Sequence, residues 1–242
     1  YDNKGRCVYF NELISGIYGK DYEYEDFEKV YAKWIEDMGR THRDYMKFDS
    51  KFDIDGKTRY FDISYKRIYD EKQRPLCDYF IYVDRTDMIE SLEKEKYKAT
   101  HDGLTGLLTR EQFFIDTHEL VNKYRGMKFC IICSNIKDFK FVNELFGIEK
   151  GDRVLRRQAQ IMKEWNSDKI LCARLQNDRF AMCIPKEDLH ENDLVEAIKM
   201  MQDEFANTSF HLHLFIGIYE INDRNESVSI MCDKANIAGD TI

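Results

Sequence analysis

Two pairs of residues in this chain have types and spacings that could do chemistry by themselves. Cys130-Ile131-Ile132-Cys133 spells the CxxC of redox and zinc sites, and His211-x-His213 sets two imidazoles two positions apart. Either role needs its groups on one side of the backbone, and zinc needs further ligands. MKFCIICSNI reads as a buried strand, in which positions three apart face opposite ways, so the two thiols point away from each other. The histidines fall on one face of the strand HLHLFIGIYEI and could hold a metal, but the sequence offers no third ligand nearby. In the first half, Tyr60, Phe61, Tyr65, Tyr69, Tyr79, Phe80 and Tyr82 could line a small-molecule pocket. Alternation along strands assigns most of them to core or sheet surface.

The elements that position these groups form two series. Over residues 1–84, GRCVYF reads as a strand after the turn Asp2-Asn3-Lys4-Gly5. Phe27, Val30, Tyr31, Trp34, Ile35 and Met38 recur at helical spacing and Gly39 follows as a stop. Three strands then come in series, DYMKFDSKFDI, KTRYFDISYKRIY and LCDYFIYVD, separated by Asp55-Gly56 and by the turn from Asp70 to Pro75. That is an antiparallel meander. Residues 85–100 form a charged helix with a thin seam of Ile89, Leu92, Lys96 and Ala99, readable as a solvated linker or as a short dimeric coiled coil. Residues 101–242 alternate helix and strand. Thr109 to Gln112 is a capping-box pattern, FKFVNELFG is a helix closed by Gly147, and DRVLRRQAQIMKEW is a second helix. ILCARLQNDRFAMCIP is a hairpin turning near Gln176-Asn177, and a last helix starts near Ser227. The fold class is α+β in two domains, with a mixed sheet covered by helices in the second.

Composition bounds the function. The chain has 242 residues, 43% hydrophobic and 34% charged, a globular balance. Its net charge of −8 with interspersed signs leaves no basic stripe for nucleic acid. No apolar run is long enough to span a bilayer and no secretory signal is visible. The seven cysteines are odd in number and scattered, which fits buried thiols in a reducing cytoplasm better than a disulfide framework.

Five ordered stretches carry a resemblance. Asp102-Gly103-Leu104-Thr105-Gly106-Leu107 resembles the DxLTGL opening of GGDEF domains. Asn135-Ile136-Lys137-Asp138-Phe139-Lys140, with Val142-Asn143, resembles DIDxFKxxN, and Gly147 through Gly151-Asp152 resembles GHxxGD. Arg174-Leu175-Gln176-Asn177-Asp178-Arg179-Phe180 stands where RYGGDEF belongs, and Phe215-Ile216-Gly217-Ile218 resembles SIGV. Upstream, Val83-Asp84-Arg85-Thr86 is similar to the DxT exit of PAS domains that feed GGDEF domains. The resemblance implies a PAS-like sensor over 1–84, a linker signalling helix over 85–100 and a GGDEF domain over 101–242.

GGDEF domains are diguanylate cyclases, in which two domains meet, each with GTP and divalent metal, and join the nucleotides. That phosphoryl transfer needs metal to neutralise triphosphate charge and an acid near an aligned hydroxyl. By the resemblance, the first metal carboxylate aligns with Asn135, neutral and a poor magnesium ligand. Asp178 keeps a metal-side carboxylate, while Arg179 replaces the following glutamate and reverses its charge. Gln176 and Asn177 replace the two glycines of the turn, and Asp240 stands where the family has a triphosphate lysine. Lys140 matches a phosphate-side lysine, and Asn143 and Asp152 match the pair that reads guanine. Asn143 could instead bond within its helix, and Asp152 could cap a helix starting at Arg153. The family's RxxD inhibition site falls at Ser167 and Ile170, with no arginine–aspartate pair.

The expectation is a non-catalytic regulatory module of cyclic di-GMP signalling in the bacterial cytoplasm. It has no assured cofactor, GTP with Mg²⁺ being the candidate, and pairs as a homodimer through the PAS-like domain and linker helix. The family often places an EAL phosphodiesterase domain after such a domain, here beyond Ile242. The alternatives are an active diguanylate cyclase and a GTP-sensing domain without turnover.

Overall fold

The computed structural model describes residues 1–2, 6–9, 17, 29, 32–33, 36, 44–165 and 167–240. The chain divides into two compact units, Tyr1–Lys94 and Glu95–Ile242.

The first unit is built on β1 (Tyr45–Ile54), β2 (Lys57–Tyr69) and β3 (Pro75–Asp84), antiparallel in that order. Asp55 and Gly56 turn the first hairpin with φ of 50° and 73°, the left-handed pair that matches strand twist. Phe61 and Ile63 are buried on β2 together with Ile17, and Phe48, Phe52 and Phe80 pack beside them. Asp78 is also buried, and its carboxylate accepts from Arg67 at 2.8 and 2.9 Å and from the Tyr65 hydroxyl at 3.1 Å. A buried carboxylate is tolerable only with such partners.

The Asp84-Arg85-Thr86 exit is tied to β2. The Tyr60 N–H donates to Thr86 Oγ1 at 3.0 Å, the Arg85 N–H donates to the Tyr60 carbonyl, and Arg85 pairs with Asp62 at 2.8 Å. Burial pushes the Asp84 carboxyl up, but hydrogen bonds from Thr86 and the Arg59 guanidinium outweigh it and hold it below the usual range. Helix α1 (Thr86–Thr100) follows and buries no residue; Met88, Leu92 and Tyr97 are exposed. One sequence expectation changes here, and one falls outside the described residues. GRCVYF carries no strand at its described residues 6–9, where the Arg6 N–H bonds back to Asp2, itself bridged to Cys77. The apolar face from Phe27 to Met38 lies outside the described residues, whereas Lys29, Ala32, Lys33 and Glu36 are helical and exposed.

The second unit is a sheet in the order β5-β6-β4-β7, with β4 (Phe129–Ile136), β5 (Leu171–Gln176), β6 (Arg179–Pro185) and β7 (Leu214–Glu220). Helices α2 (Arg110–Lys123) and α6 (Val228–Asp240) cover one face; α3 (Phe139–Phe146), α4 (Ile148–Glu164) and α5 (Glu191–Gln202) cover the other. The expected mixed sheet is a correction: among the described residues every strand ladder is antiparallel, and the one parallel element is the bridge from Leu108 to Ala173. Strand β5 does run parallel to β4, but the return strand β6 lies between them, so the two never pair.

Alternation on β4 sends Cys133 to the α2/α6 core and Cys130 to the opposite core, so the CxxC thiols do face apart. His213 and His211 precede β7 and are exposed either side of buried Leu212, rather than standing on a strand. Burial pushes the Cys172 thiol up to about 12, and hydrogen bonding to Cys232 with burial pushes Cys133 up as well. Thiols raised this way hold almost no thiolate at neutral pH. In the folded protein an aromatic disulfide reagent is therefore expected to label the half-buried Cys7 and Cys77 and to spare Cys130, Cys133, Cys183 and Cys232 until denaturant is added. Peptide mapping of the labelled protein checks this.

Candidate functional site

At the end of β4 a cleft of about 510 Å³ opens between α3, α4 and the β5–β6 turn, within the volume range of small-molecule sites. Its polar walls are Asp138, Lys140, Asn143, Asp152, Arg174, Asn177 and Asp178. The sequence-derived residues Lys140, Asn143, Asp152, Asn177 and Asp178 are thus brought together from two helices and one turn.

Each wall has a local cause. Asp138 precedes α3 in the left-handed region at φ 55°, ψ 36°, a conformation that aspartate accepts more readily than bulkier residues. Asn143 sits on α3 against Gly151 of α4: a Cβ on that glycine would fall 1.9 Å from Asn143 Oδ1. The glycine therefore lets the amide lie flat against α4. Asp152 does not cap a helix, because α4 begins at Ile148 and carries Asp152 in its second turn, 3.9 Å from Arg156. Lys140 reaches into solvent, 91% exposed and 3.7 Å from Glu144.

The β5–β6 turn places the rest. Positive φ falls on Asn177, at 52°, while Gln176 stays extended and pairs with Arg179. The unfavourable left-handed geometry is thus taken by asparagine and glutamine is spared it. Asp178 folds back and accepts from the Ile136 N–H at 3.0 Å, locking the turn to β4. Arg174 Nε donates to the Asn177 carbonyl at 2.7 Å, and its guanidinium pairs with Asp102 at 3.2 Å. Burial pushes Asp102 up, but the Thr105 hydroxyl and N–H, with Arg174, hold its carboxyl below the usual range.

Asn135, Gln176 and Arg179 do not line the cleft. Alternation from Cys133 and Ala181 puts Asn135 and Arg179 on the α2/α6 face, and the Arg179 charge acts on the Cys133 thiol there. The sequence reading gave no role to Asp138 or Arg174. An aspartate just ahead of the apolar run FKFVNELF is the helix-start signal that marks the first; the partner of the second is 72 residues away and carries no local signal.

A family model described as "Diguanylate cyclase, GGDEF domain" matches residues 99–240, more than half of the chain. The chain belongs to the GGDEF family. A "Diguanylate cyclase" of Vibrio cholerae is 24% identical over 156 residues, 62% of this chain and 48% of the relative. "Cyclic di-GMP phosphodiesterase PdeB" of Shewanella oneidensis is 31% identical over 87 residues, 36% of this chain and 10% of the relative. The chain thus spans half or less of these relatives' length. Among solved structures, the coiled coil and GGDEF domain of DgcB from Caulobacter crescentus in complex with c-di-GMP aligns with TM-score 0.53 and 22% identity, over 64% of this chain and 86% of that one. That likeness is one of fold.

In the GGDEF frame the donor set for a divalent metal is thin. The Asp178 carboxylate already accepts a backbone hydrogen bond, and the neutral Asn135 faces away from it. Among the described residues no three His, Cys, Asp or Glu side chains gather as a metal site. Magnesium wants several charged or strongly polar oxygens in near-octahedral array, and of the two aligned positions Asp178 carries a carboxylate and Asn135 an amide. The side chain of Asp240 lies outside the described residues. The GGDEF inhibition-site positions Ser167 and Ile170 flank a turn in which Ser167 Oγ accepts from the Lys169 N–H.

Proposed function

We propose that this protein is a non-catalytic regulatory module of cyclic di-GMP signalling in the bacterial cytoplasm. A PAS-like sensor in the first unit acts through α1 on a GGDEF domain that does not join two GTP molecules. The observation that carries this reading is the charge of the cleft. Its acids are Asp138, Asp152 and Asp178 and its bases are Lys140 and Arg174. Arg174 is already committed to Asp102 and the Asn177 carbonyl. A triphosphate brought there without a well-held metal meets more negative than positive charge, which raises the barrier to phosphoryl transfer. Incubating the purified protein with GTP and Mg²⁺ or Mn²⁺ is expected to yield no cyclic di-GMP above a protein-free control. Sustained turnover overturns the reading.

A second reading, GTP binding without turnover, draws on the half of the cleft that keeps its chemistry. Asn143 and Asp152 both line it, and Asp152 is free of a capping role. An amide and a carboxylate on adjacent helices complement the donors and acceptor of a guanine edge. Calorimetric titration of GTP, with metal omitted, tests this: binding is expected to weaken about tenfold or more in Asn143→Ala, the cost of one buried hydrogen bond to a charged or polar edge. Gly151→Ala is expected to fold normally yet weaken binding in the same way, since its methyl displaces the Asn143 amide. Absence of heat at high GTP removes this second reading and leaves the first intact.

The regulated partner in this proposal is an EAL-type phosphodiesterase domain, a reading supported by the likeness to a relative named as a cyclic di-GMP phosphodiesterase. The module pairs as a homodimer through the first unit and α1, whose exposed Met88 and Leu92 offer a seam. Sedimentation of the wild type against Leu92→Glu checks the seam.

A further inference from the structure

On the sheet face opposite α2 and α6, helices α4 and α5 leave a second, smaller cavity of about 60 Å³. Ile132, Met182, Met201, Leu194 and Trp165 wall it, and α5 closes it while burying only Met201. Two polar side chains reach this apolar space, Gln158 and Ser134. Gln158 is 6% exposed; its Nε2 donates to Ser134 Oγ at 2.8 Å, and its Oε1 has no hydrogen-bond partner. Ser134 lines the same cavity, so the amide is held at one end and left open at the other.

An unpartnered amide oxygen in an apolar chamber is costly, and native proteins rarely leave one without a donor. A chamber of this size takes about four to six water-sized groups, more than the single donor the oxygen requires. Beyond Gln158 and Ser134 the walls are apolar and hold ordered water poorly, because a buried water needs two to four polar partners. The chemistry that fits is one donor on a short apolar body.

We infer that this cavity is a binding site for a small, mostly apolar molecule with one hydrogen-bond donor, of the size of a short-chain alcohol, anchored by Gln158 Oε1. Such a ligand sits between α4 and α5, and α4 is the helix that also carries Asp152. The site is separate from the cleft and shares no side chain with it.

Two isomers separate donor recognition from filling of space: 1-butanol and diethyl ether have the same atoms, and only the first has a donor. Titrated into the full chain carrying ¹³C-methyl methionine, 1-butanol is expected to shift the Met182 and Met201 methyl resonances saturably. The affinity is on the order of millimolar, as expected for so few atoms. Diethyl ether is expected to bind about tenfold more weakly. Gln158→Leu is expected to erase the difference between the isomers, and Ala197→Leu, which fills the chamber from α5, to abolish both shifts. Equal binding of the two isomers to the wild type overturns the donor assignment. No saturable shift with either overturns the site.

Discussion

Replacing Gly217 by alanine is expected to destabilise the second unit by about 3 kcal/mol or more, at the upper end for overpacking a core. Gly217 lies in β7 opposite Cys133, directly beneath α6. A Cβ there would fall 1.7 Å from the Ala235 carbonyl oxygen, 2.6 Å from the Gly239 nitrogen and 2.8 Å from the Ala235 carbonyl carbon. All three are backbone atoms, so no side chain can rotate away and the whole helix must lift. Lifting α6 withdraws Val228, Met231, Cys232 and Ala235 from the core they share with α2 and β4. The Tm is expected to fall by roughly 6–12 °C, the shift that such a loss gives in a protein of this size. Gly126→Ala is the control: it meets nothing within 4 Å and is expected to change stability by no more than about 0.5 kcal/mol. Thermal and urea unfolding of the two variants decide the matter. A Gly217→Ala protein as stable as the wild type shows that α6 does not sit on β7 as described.

The second large effect belongs to Arg174. Its side chain is 15% exposed and ties Asp102, at the start of the second unit, to the β5–β6 turn. Arg174→Ala removes three hydrogen bonds, two of them to a carboxylate that then keeps only Thr105. The expected loss is about 2 kcal/mol, below the figure for a fully buried pair because Asp102 is a quarter exposed. The pH dependence follows from the direction of the Asp102 shift. Its folded carboxyl titrates lower than in the unfolded chain. Its contribution is therefore complete above about pH 4 and fades as pH falls through the folded value. The gap between wild type and Arg174→Ala is expected to be constant from about pH 7 to about pH 5 and to narrow towards about pH 3. Urea midpoints across that range measure it. A gap that persists unchanged into acid shows that the Asp102 charge is not what Arg174 holds. The variant also loosens the turn that carries Asn177 and Asp178, so GTP titration alongside unfolding tells whether the cleft depends on that tie.

Much of the second unit was legible because its periodicities are strong. The apolar run MKFCIICSNI marked β4, the glycine after FKFVNELF ended α3 at Gly147, and the hairpin turned close to where Gln176-Asn177 suggested. Helix α4 was read too short. Ile148, Glu149 and Lys150 show no capping side chain ahead of them, and the helix starts directly on Gly147 at φ 83°. That error made Asp152 look like a cap instead of a side chain on the cleft wall. In the first unit the meander was legible from Asp55-Gly56, whereas GRCVYF has strand composition but no ladder at its described residues. Composition alone does not supply a partner strand.

The sequence by itself determined the GGDEF motifs, the residue types at their charged positions, and the alternation that sets the two CxxC thiols apart. These are local properties, fixed by side-chain identity and by the two-residue period of a strand. Only the tertiary structure decided which of those residues share a space. It turned Asn135 and Arg179 to the face away from the cleft, joined Arg174 to a carboxylate 72 residues distant, and pressed Gly217 against the backbone of α6. Each of these depends on where a second element lies, and contacts between distant segments are selected by the packing of the whole core rather than by any short stretch of chain.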